Sequence, residues 1–203
     1  MRGFVLPFGK DLGWVIKLFF LSLISNSSPM KTATPFRLAI AALIFSIVWI
    51  IFEHIMGYNT TRHDVGQFTR LVPALVFWGV LFIAVRNEKR KTGKLTFIDG
   101  WKAGIITSLV YSIGFTLVII FYQQFINPEF YETFKAFTLS QLQEHHATRE
   151  QIDSAMKETE MSYSGSAMSY AMLLAFSFVW GVILSAIAAM IYKSKKEVAV
   201  VQP

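Results

Sequence analysis

The sequence predicts an all-α polytopic membrane protein, a four-helix transmembrane bundle with an amphipathic helical outer loop between its third and fourth spans. Four long stretches are apolar and almost free of charge in their interiors. Hydrophobic residues make up 54% of the 203 residues, which leaves too little polar surface to cover a soluble globule. The predicted membrane domain is 30–203, with spans at about 35–56, 69–86, 100–126 and 165–192 and an outer loop at 127–164.

Span length supports this assignment. A hydrocarbon layer of about 30 Å needs about 20 apolar residues in a helix, and the first, third and fourth stretches reach that length. The second is shorter, but Arg70 and Arg86 stand at its two ends, where long basic side chains extend toward the headgroups.

Lysine and arginine cluster beside the spans on one predicted side. The clusters are Lys31 and Arg37; Arg86, Lys89, Arg90, Lys91, Lys94 and Lys102; and Lys193, Lys195 and Lys196. Because basic residues stay cytoplasmic, both termini are predicted inside and the acidic loop outside. The net charge of +6 is therefore interpreted as a topology signal rather than as nucleic-acid binding. The expected partner is the lipid bilayer, and a protein partner or a homo-oligomer stays open.

The first 29 residues, the leader, fit this scheme least well. The apolar stretch Leu12–Ile24 resembles a signal-peptide core, but Lys17 interrupts it and no small-residue cleavage site follows. A spanning or cleaved signal, an interfacial helix and a misassigned start are the three alternatives. We favour Met30 as the start, since Lys31 and a span follow it at once.

Small residues repeat every four positions in the third and fourth spans. They are Gly100, Gly104, Ser108 and Ser112, and Ser177, Gly181, Ser185 and Ala189. Such residues share one helix face and let backbones approach closely in lipid, where no hydrophobic force drives association. We expect the two spans to pair antiparallel. The alternatives are a homodimer through one ladder, or the general frequency of Gly and Ser in membrane helices.

The outer loop is predicted to be helical. Asn127 and Pro128 end the third span, and an apolar face follows with its side on the membrane surface. Its residues are Phe130, Phe134, Phe137 and Leu142. Thr148 and Gln151 form a capping box that begins a second helix, about Arg149–Lys157. A docking surface for a partner and a lid over the outer mouth of the bundle are the alternatives, and we favour the lid.

Glu53 is the one carboxylate inside a predicted span. His54, His63 and Arg70 are close enough in sequence to approach it near the outer edge of the hydrocarbon. A buried carboxylate is costly without a partner, so it marks a functional site by default. We expect a structural pair with Arg70 or an interfacial, solvated Glu53; a proton or ligand site is the alternative.

Other chemistry is sparse. The chain has no cysteine, no metal-ligand spacing of histidines and no glycine-rich phosphate loop, so no metal, cofactor or catalytic residue is predicted. His145 and His146 are interpreted as solvated surface residues. The Asn26 and Asn59 sequons would matter only in a secretory eukaryotic context.

One family resemblance adds to these interpretations. Leu95-Thr96-Phe97 with Gly100 and Gly104 opens the third span, and the run from Gln124 to Phe130 closes it. Over about 34–192 this pattern resembles bacterial membrane proteins of the domain-of-unknown-function family 4199. The resemblance implies four spans, a basic inner loop, a helical outer segment and a location in the bacterial cytoplasmic (inner) membrane. It implies no activity and no site residue.

Function follows from what the spans contain. Packing residues dominate and reactive ones are rare, which favours a non-enzymatic scaffold, sensor or assembly partner. A small transporter or channel component with Glu53 as proton or ligand site is the alternative. An intramembrane enzyme ranks third, since no nucleophile with a neighbouring base stands out.

Overall fold

The computed structural model describes residues 35–194, and all regular structure in that range is helical. The helices are α1 (Pro35–Ile55), α2 (His63–Thr69), α3 (Leu71–Thr92), α4 (Phe97–Phe121) with a π-helical turn (Tyr122–Ile126), α5 (Phe130–Glu144), α6 (Arg149–Tyr163) and α7 (Ala167–Tyr192). Four helical stretches within this range are long and apolar enough to cross a membrane: α1, α2 with α3, α4 with its π turn, and α7. The predicted fold class is confirmed. The expectations for residues 1–29 lie outside the described residues.

The second span differs most from its predicted bounds. Its helix was expected to end at 86 but continues to Thr92, so the basic residues up to Lys91 lie on its last turns rather than in a loop. An ion pair stabilises these additional turns, and a glycine ends them. Lys91 Nζ lies 3.4 Å from Glu88 Oε2, and the chain leaves the helix at Gly93, whose φ of 72° suits glycine.

Polar caps set the starts of α4 and α6. The Thr96 side chain accepts a hydrogen bond from Asp99 N, so α4 begins before the predicted position. The predicted capping box of Thr148 and Gln151 is present in both directions. The helix it starts, α6, continues past the expected Lys157 to Tyr163.

The antiparallel pair of α4 and α7 forms the most extensive helix contact in the described chain. A Cβ built on Gly104 would overlap the side chain of Ser185, and one on Gly181 would lie 2.7 Å from Ser108 Cβ. At Gly100 the nearest atom of α7 is Ala189 Cβ, at 3.2 Å from the added Cβ. These small residues lie where the two helices meet, because only hydrogen atoms, methyl groups or hydroxymethyl groups fit between the two backbones there.

The two serines at the last position of the ladders differ in burial. Ser112 is fully buried and its hydroxyl has no hydrogen-bond partner. Ser177 is half-buried, and its hydroxyl donates to the Leu174 carbonyl of its own helix at 3.1 Å. We call the contact from Gly100 to Ser108, with its α7 partners, the seam.

Helices α1 and α3 also pack against α4, and α3 contacts α7 as well. The Ser46 and Tyr111 hydroxyls are 2.9 Å apart, and the Phe77 ring stacks on Tyr111 with centroids 3.9 Å apart. A hydroxyl pair buried among aromatic rings satisfies both polar groups without water.

Helices α5 and α6 form what we call the lid, and the end of the bundle where they lie is the lid end. The apolar face of α5 was expected on the membrane surface; the structure corrects this. Phe130 is buried, and the rings of Phe130, Phe134 and Phe137 lie around His63, with centroids 6.0, 5.5 and 5.8 Å from the imidazole. The chain itself supplies the surface that this aromatic face needs.

Candidate functional site

Glu53 faces the interior of the bundle. Its exposed fraction is 1%, so the interpretation as a solvated interfacial residue is wrong. Thr69 Oγ1 donates a hydrogen bond to its Oε1, and Asn59 Nδ2 donates to its Oε2 at 3.2 Å. A buried carboxylate with a donor on each oxygen meets the requirement that makes such burial tolerable.

The turn after α1 brings these donors to the carboxylate. Gly57, at a φ of 75°, reverses the chain direction. A Cβ on Gly66 would overlap the Tyr58 carbonyl, so α2 packs against this turn at the distance that glycine allows. Trp49 Nε1 then donates to the Thr69 carbonyl at 3.1 Å, which fixes the end of α2 beside Glu53.

Glu53, Asn59 and Thr69 form a polar cluster, and Arg70 joins this cluster through Asn59. Its Nε donates to Asn59 Oδ1 at 3.2 Å, while the other end of the same amide serves Glu53. The expected pair of Glu53 and Arg70 is therefore linked through an interposed amide. A single side chain that donates to the anion and accepts from the cation partly compensates the burial of both.

The guanidinium of Arg70 also reaches the lid. It lies 5.0 Å from the Phe130 ring centroid and 4.5 Å from that of Phe134, within the range of cation–π attraction. Its Nη2 is 3.0 Å from His63 Nδ1. Because arginine can only donate, His63 Nδ1 is the acceptor and Nε2 carries the proton. Nε2 therefore donates to Thr133 Oγ1 of α5, and these two atoms are 3.0 Å apart.

The end of α4 completes the cluster through its π turn. Asn127 N bonds the Tyr122 carbonyl five residues earlier at 2.8 Å, a widening of the helix that is frequent at functional sites. Asn127 Nδ2 donates to the Asn59 carbonyl at 2.8 Å and to the Tyr122 hydroxyl at 3.1 Å. His54 Nδ1 is 3.0 Å from that hydroxyl, so His54 borders the cluster through Tyr122 rather than through Glu53.

A cavity of about 200 Å³ lies beside these groups at the lid end. Glu53, Asn59, Arg70, Tyr122 and Gln123 supply polar groups to its wall. The rest of the lining comes from Ile50, Pro73, Phe115, Ile119, Phe130, Ser162, Tyr163, Ser169, Tyr170 and Leu173. Gln123 Oε1 is buried and has no hydrogen-bond partner. A mostly apolar cavity with a few convergent polar groups is typical of a small-molecule site.

The lid forms part of this cavity. Phe130 from α5 and Ser162 and Tyr163 from α6 contribute to its wall, which agrees with the lid interpretation of the outer loop. At the far turn of the lid, His145 and His146 are exposed, as expected of surface histidines.

Sequence reasoning placed Glu53, His54, His63 and Arg70 near one another but missed the residues that connect them. Asn59 was noted only as a sequon, yet it is 4% exposed and its amide bridges the two charges. Thr69, Asn127 and Gln123 were not singled out as site residues. The one available signal was their position at helix ends, where polar residues are common for other reasons.

Residues 37–194 match the family model described as a protein of unknown function (DUF4199). No curated protein and no solved structure matches the chain. The predicted family resemblance is thus confirmed over nearly the whole of the described range.

Proposed function

The chain belongs to the DUF4199 family of proteins of unknown function, and we propose that this member is a non-enzymatic membrane sensor. In this proposal a small molecule occupies the cavity beside Glu53 and Arg70, and its binding changes the position of the lid. The observation that carries the proposal is that one residue, Arg70, lines the cavity and also holds the lid.

The buried charges support a binding role. Glu53 and Arg70 both line a cavity, although two apolar side chains in their place would cost less to bury. Polar residues buried at membrane depth commonly mark ligand or ion sites. The structural alternative, a pair that only stabilises the bundle, does not need a cavity at its side.

The contacts that hold the lid are few enough for ligand binding to move it. Within α5 only Phe130, and within α6 only Thr159, are buried. The lid is attached to the cluster by aromatic stacking on Arg70 and by the contact of Thr133 with His63. Each such contact contributes about 1 kcal/mol. A ligand whose binding to Arg70 is more favourable than these contacts therefore shifts the lid.

The far half of the bundle favours a sensor over a transporter. At the end away from the lid, Val85, Leu95, Ala188 and Ala189 form a tightly buried apolar cluster. A transporter needs access from both sides of its site. In the proposal the signal instead passes through the lid to a protein partner or to a second copy of the chain.

The site also favours binding over catalysis. The hydroxyl that donates to Glu53 belongs to Thr69, which is not among the residues that line the cavity, so the cavity wall presents no nucleophile activated by this carboxylate. We therefore propose no reaction for this protein.

The sensor proposal requires two lid positions, and their distance can be measured. The chain contains no cysteine, so spin labels on introduced cysteines are site-specific. We expect the pair Asp153→Cys and Ile55→Cys, on the lid and on α1, to show two distances by pulsed electron paramagnetic resonance in lipid nanodiscs. Phe134→Leu removes one ring from Arg70 and should increase the population of the longer distance.

The control pair is Ile55→Cys with Leu117→Cys, because both residues are exposed on spans of the bundle. It should give one distance that Phe134→Leu leaves unchanged. A single lid distance that Phe134→Leu does not alter would overturn the sensor proposal. Equal changes in both pairs would mean that the whole bundle loosens, which also contradicts it.

A further inference from the structure

We infer that the ligand of this cavity is a free α-amino acid in its zwitterionic form, with a small apolar side chain. The inference rests on the proposed function and names the chemical class that the site would bind. Three features carry it: the two charges in the wall, an unpartnered acceptor, and the apolar side chains that make up much of the remaining lining.

The two charges sum to zero and lie apart. The Asn59 amide stands between the Glu53 carboxylate and the Arg70 guanidinium, one hydrogen bond from each. A ligand with a single charge would leave one net charge buried in the cavity, which is costly. A zwitterion places its carboxylate at Arg70 and its ammonium at Glu53, and the total charge remains zero.

Arg70 has hydrogen-bonding capacity left for a carboxylate. Of its five N–H groups, Nε serves Asn59 and one on Nη2 serves His63. The other three make no hydrogen bond within residues 35–194. Guanidinium groups bind carboxylates through paired N–H donors, so the remaining donors suit this group of the ligand.

The ammonium of the ligand has two acceptors. Each oxygen of Glu53 accepts one hydrogen bond, from Thr69 or from Asn59, which leaves lone pairs for another donor. Gln123 lines the same cavity, and its Oε1 is buried without a donor. Because an unsatisfied buried acceptor costs free energy, a ligand that donates to it gains affinity.

The remaining lining of the cavity determines which side chain the ligand can have. Ile50, Pro73, Phe115, Ile119 and Leu173 line it, and the volume is about 200 Å³. This wall favours a short aliphatic group and offers no additional charge for an acidic or basic one. L-leucine is therefore the probe of choice.

Three matched probes test the inference on the full chain in nanodiscs. L-leucine carries both charges, 4-methylpentanoate lacks the ammonium, and 3-methylbutylamine lacks the carboxylate. By isothermal titration we expect L-leucine to bind at least about 30-fold more tightly than either analogue, since each missing charge loses charge-assisted hydrogen bonds.

Two variants connect binding to the named residues. Gln123→Met should weaken L-leucine binding about 10-fold without lowering the unfolding temperature of the ligand-free protein, because Oε1 has no partner to lose. Arg70→Gln should abolish binding. The exposed Gln143→Met is the matched control and should bind as the wild type does.

The outcomes separate this inference from the sensor proposal. If either analogue binds as tightly as L-leucine, or Gln123→Met and Gln143→Met bind alike, the assignment of a zwitterion to these groups is wrong. If no probe binds but the lid shows two distances, the amino-acid class is overturned and the sensor stands. If no probe binds and the lid shows one distance, both are overturned.

Discussion

The seam between α4 and α7 and the polar cluster at the lid end solve opposite packing problems. At the seam, side chains are reduced to glycine, serine and alanine so that two backbones meet. At the lid end, large and charged side chains from α1, α2, α5 and the π turn meet beside a cavity. The seam therefore depends on steric fit, whereas the cluster depends on hydrogen bonds that hold buried charges.

This difference indicates how each region responds to change. A close-packed contact has no space to accommodate an added group. The cluster has a cavity beside it, and its connections each contribute little free energy. We therefore expect the seam to determine global stability and the lid end to open separately.

The largest expected effect is at the seam. Gly104→Leu and Gly181→Leu should each lower the free energy of unfolding by about 3 kcal/mol, because the new side chain meets Ser185 or Ser108. Thermal unfolding in nanodiscs measures this. Ala175→Leu, at an exposed position of α7, is the control and should change stability little. If it destabilised the bundle as much as the glycine changes, the steric account of the seam would fail.

A smaller effect is expected in the cluster. Asn59→Leu leaves Glu53 Oε2 and Arg70 Nε without their hydrogen bonds and should cost about 2 kcal/mol. The exposed Gln143→Leu is the control. In a double-mutant cycle, Asn59→Leu and Arg70→Gln should be non-additive. Strict additivity would show that Asn59 does not connect the two charges.

The two regions also differ in how far the sequence predicted them. The seam was read from a repeat of four within single helices, such as Gly104 to Ser108, since helical periodicity fixes which residues share a face. The cluster unites Glu53, Asn59 and Asn127 across a turn and a π-helical widening. No short-range sequence pattern predicts contacts between residues so far apart in the chain. Glu53 and Arg70 were therefore predicted only as a pair, without the Asn59 amide that connects them.

The lid shows the same limit. The sequence predicted the amphipathic face of α5 and the capping box of α6, both of which depend on neighbouring residues. It did not predict that the face would pack on His63 and Arg70 instead of on lipid. Amphipathic spacing shows that a face needs an apolar surface, and only the tertiary structure identifies that surface.

Amide hydrogen exchange of the wild-type chain in nanodiscs measures whether the lid opens separately from the seam. We expect amides of α5 and α6 to exchange through a local opening of lower free energy than the one that exposes the seam helices α4 and α7. Phe134→Leu should accelerate exchange in the lid alone. If lid and seam amides exchanged with one common opening free energy, and Phe134→Leu shifted both together, the lid end would be part of a single cooperative bundle and would not open by itself.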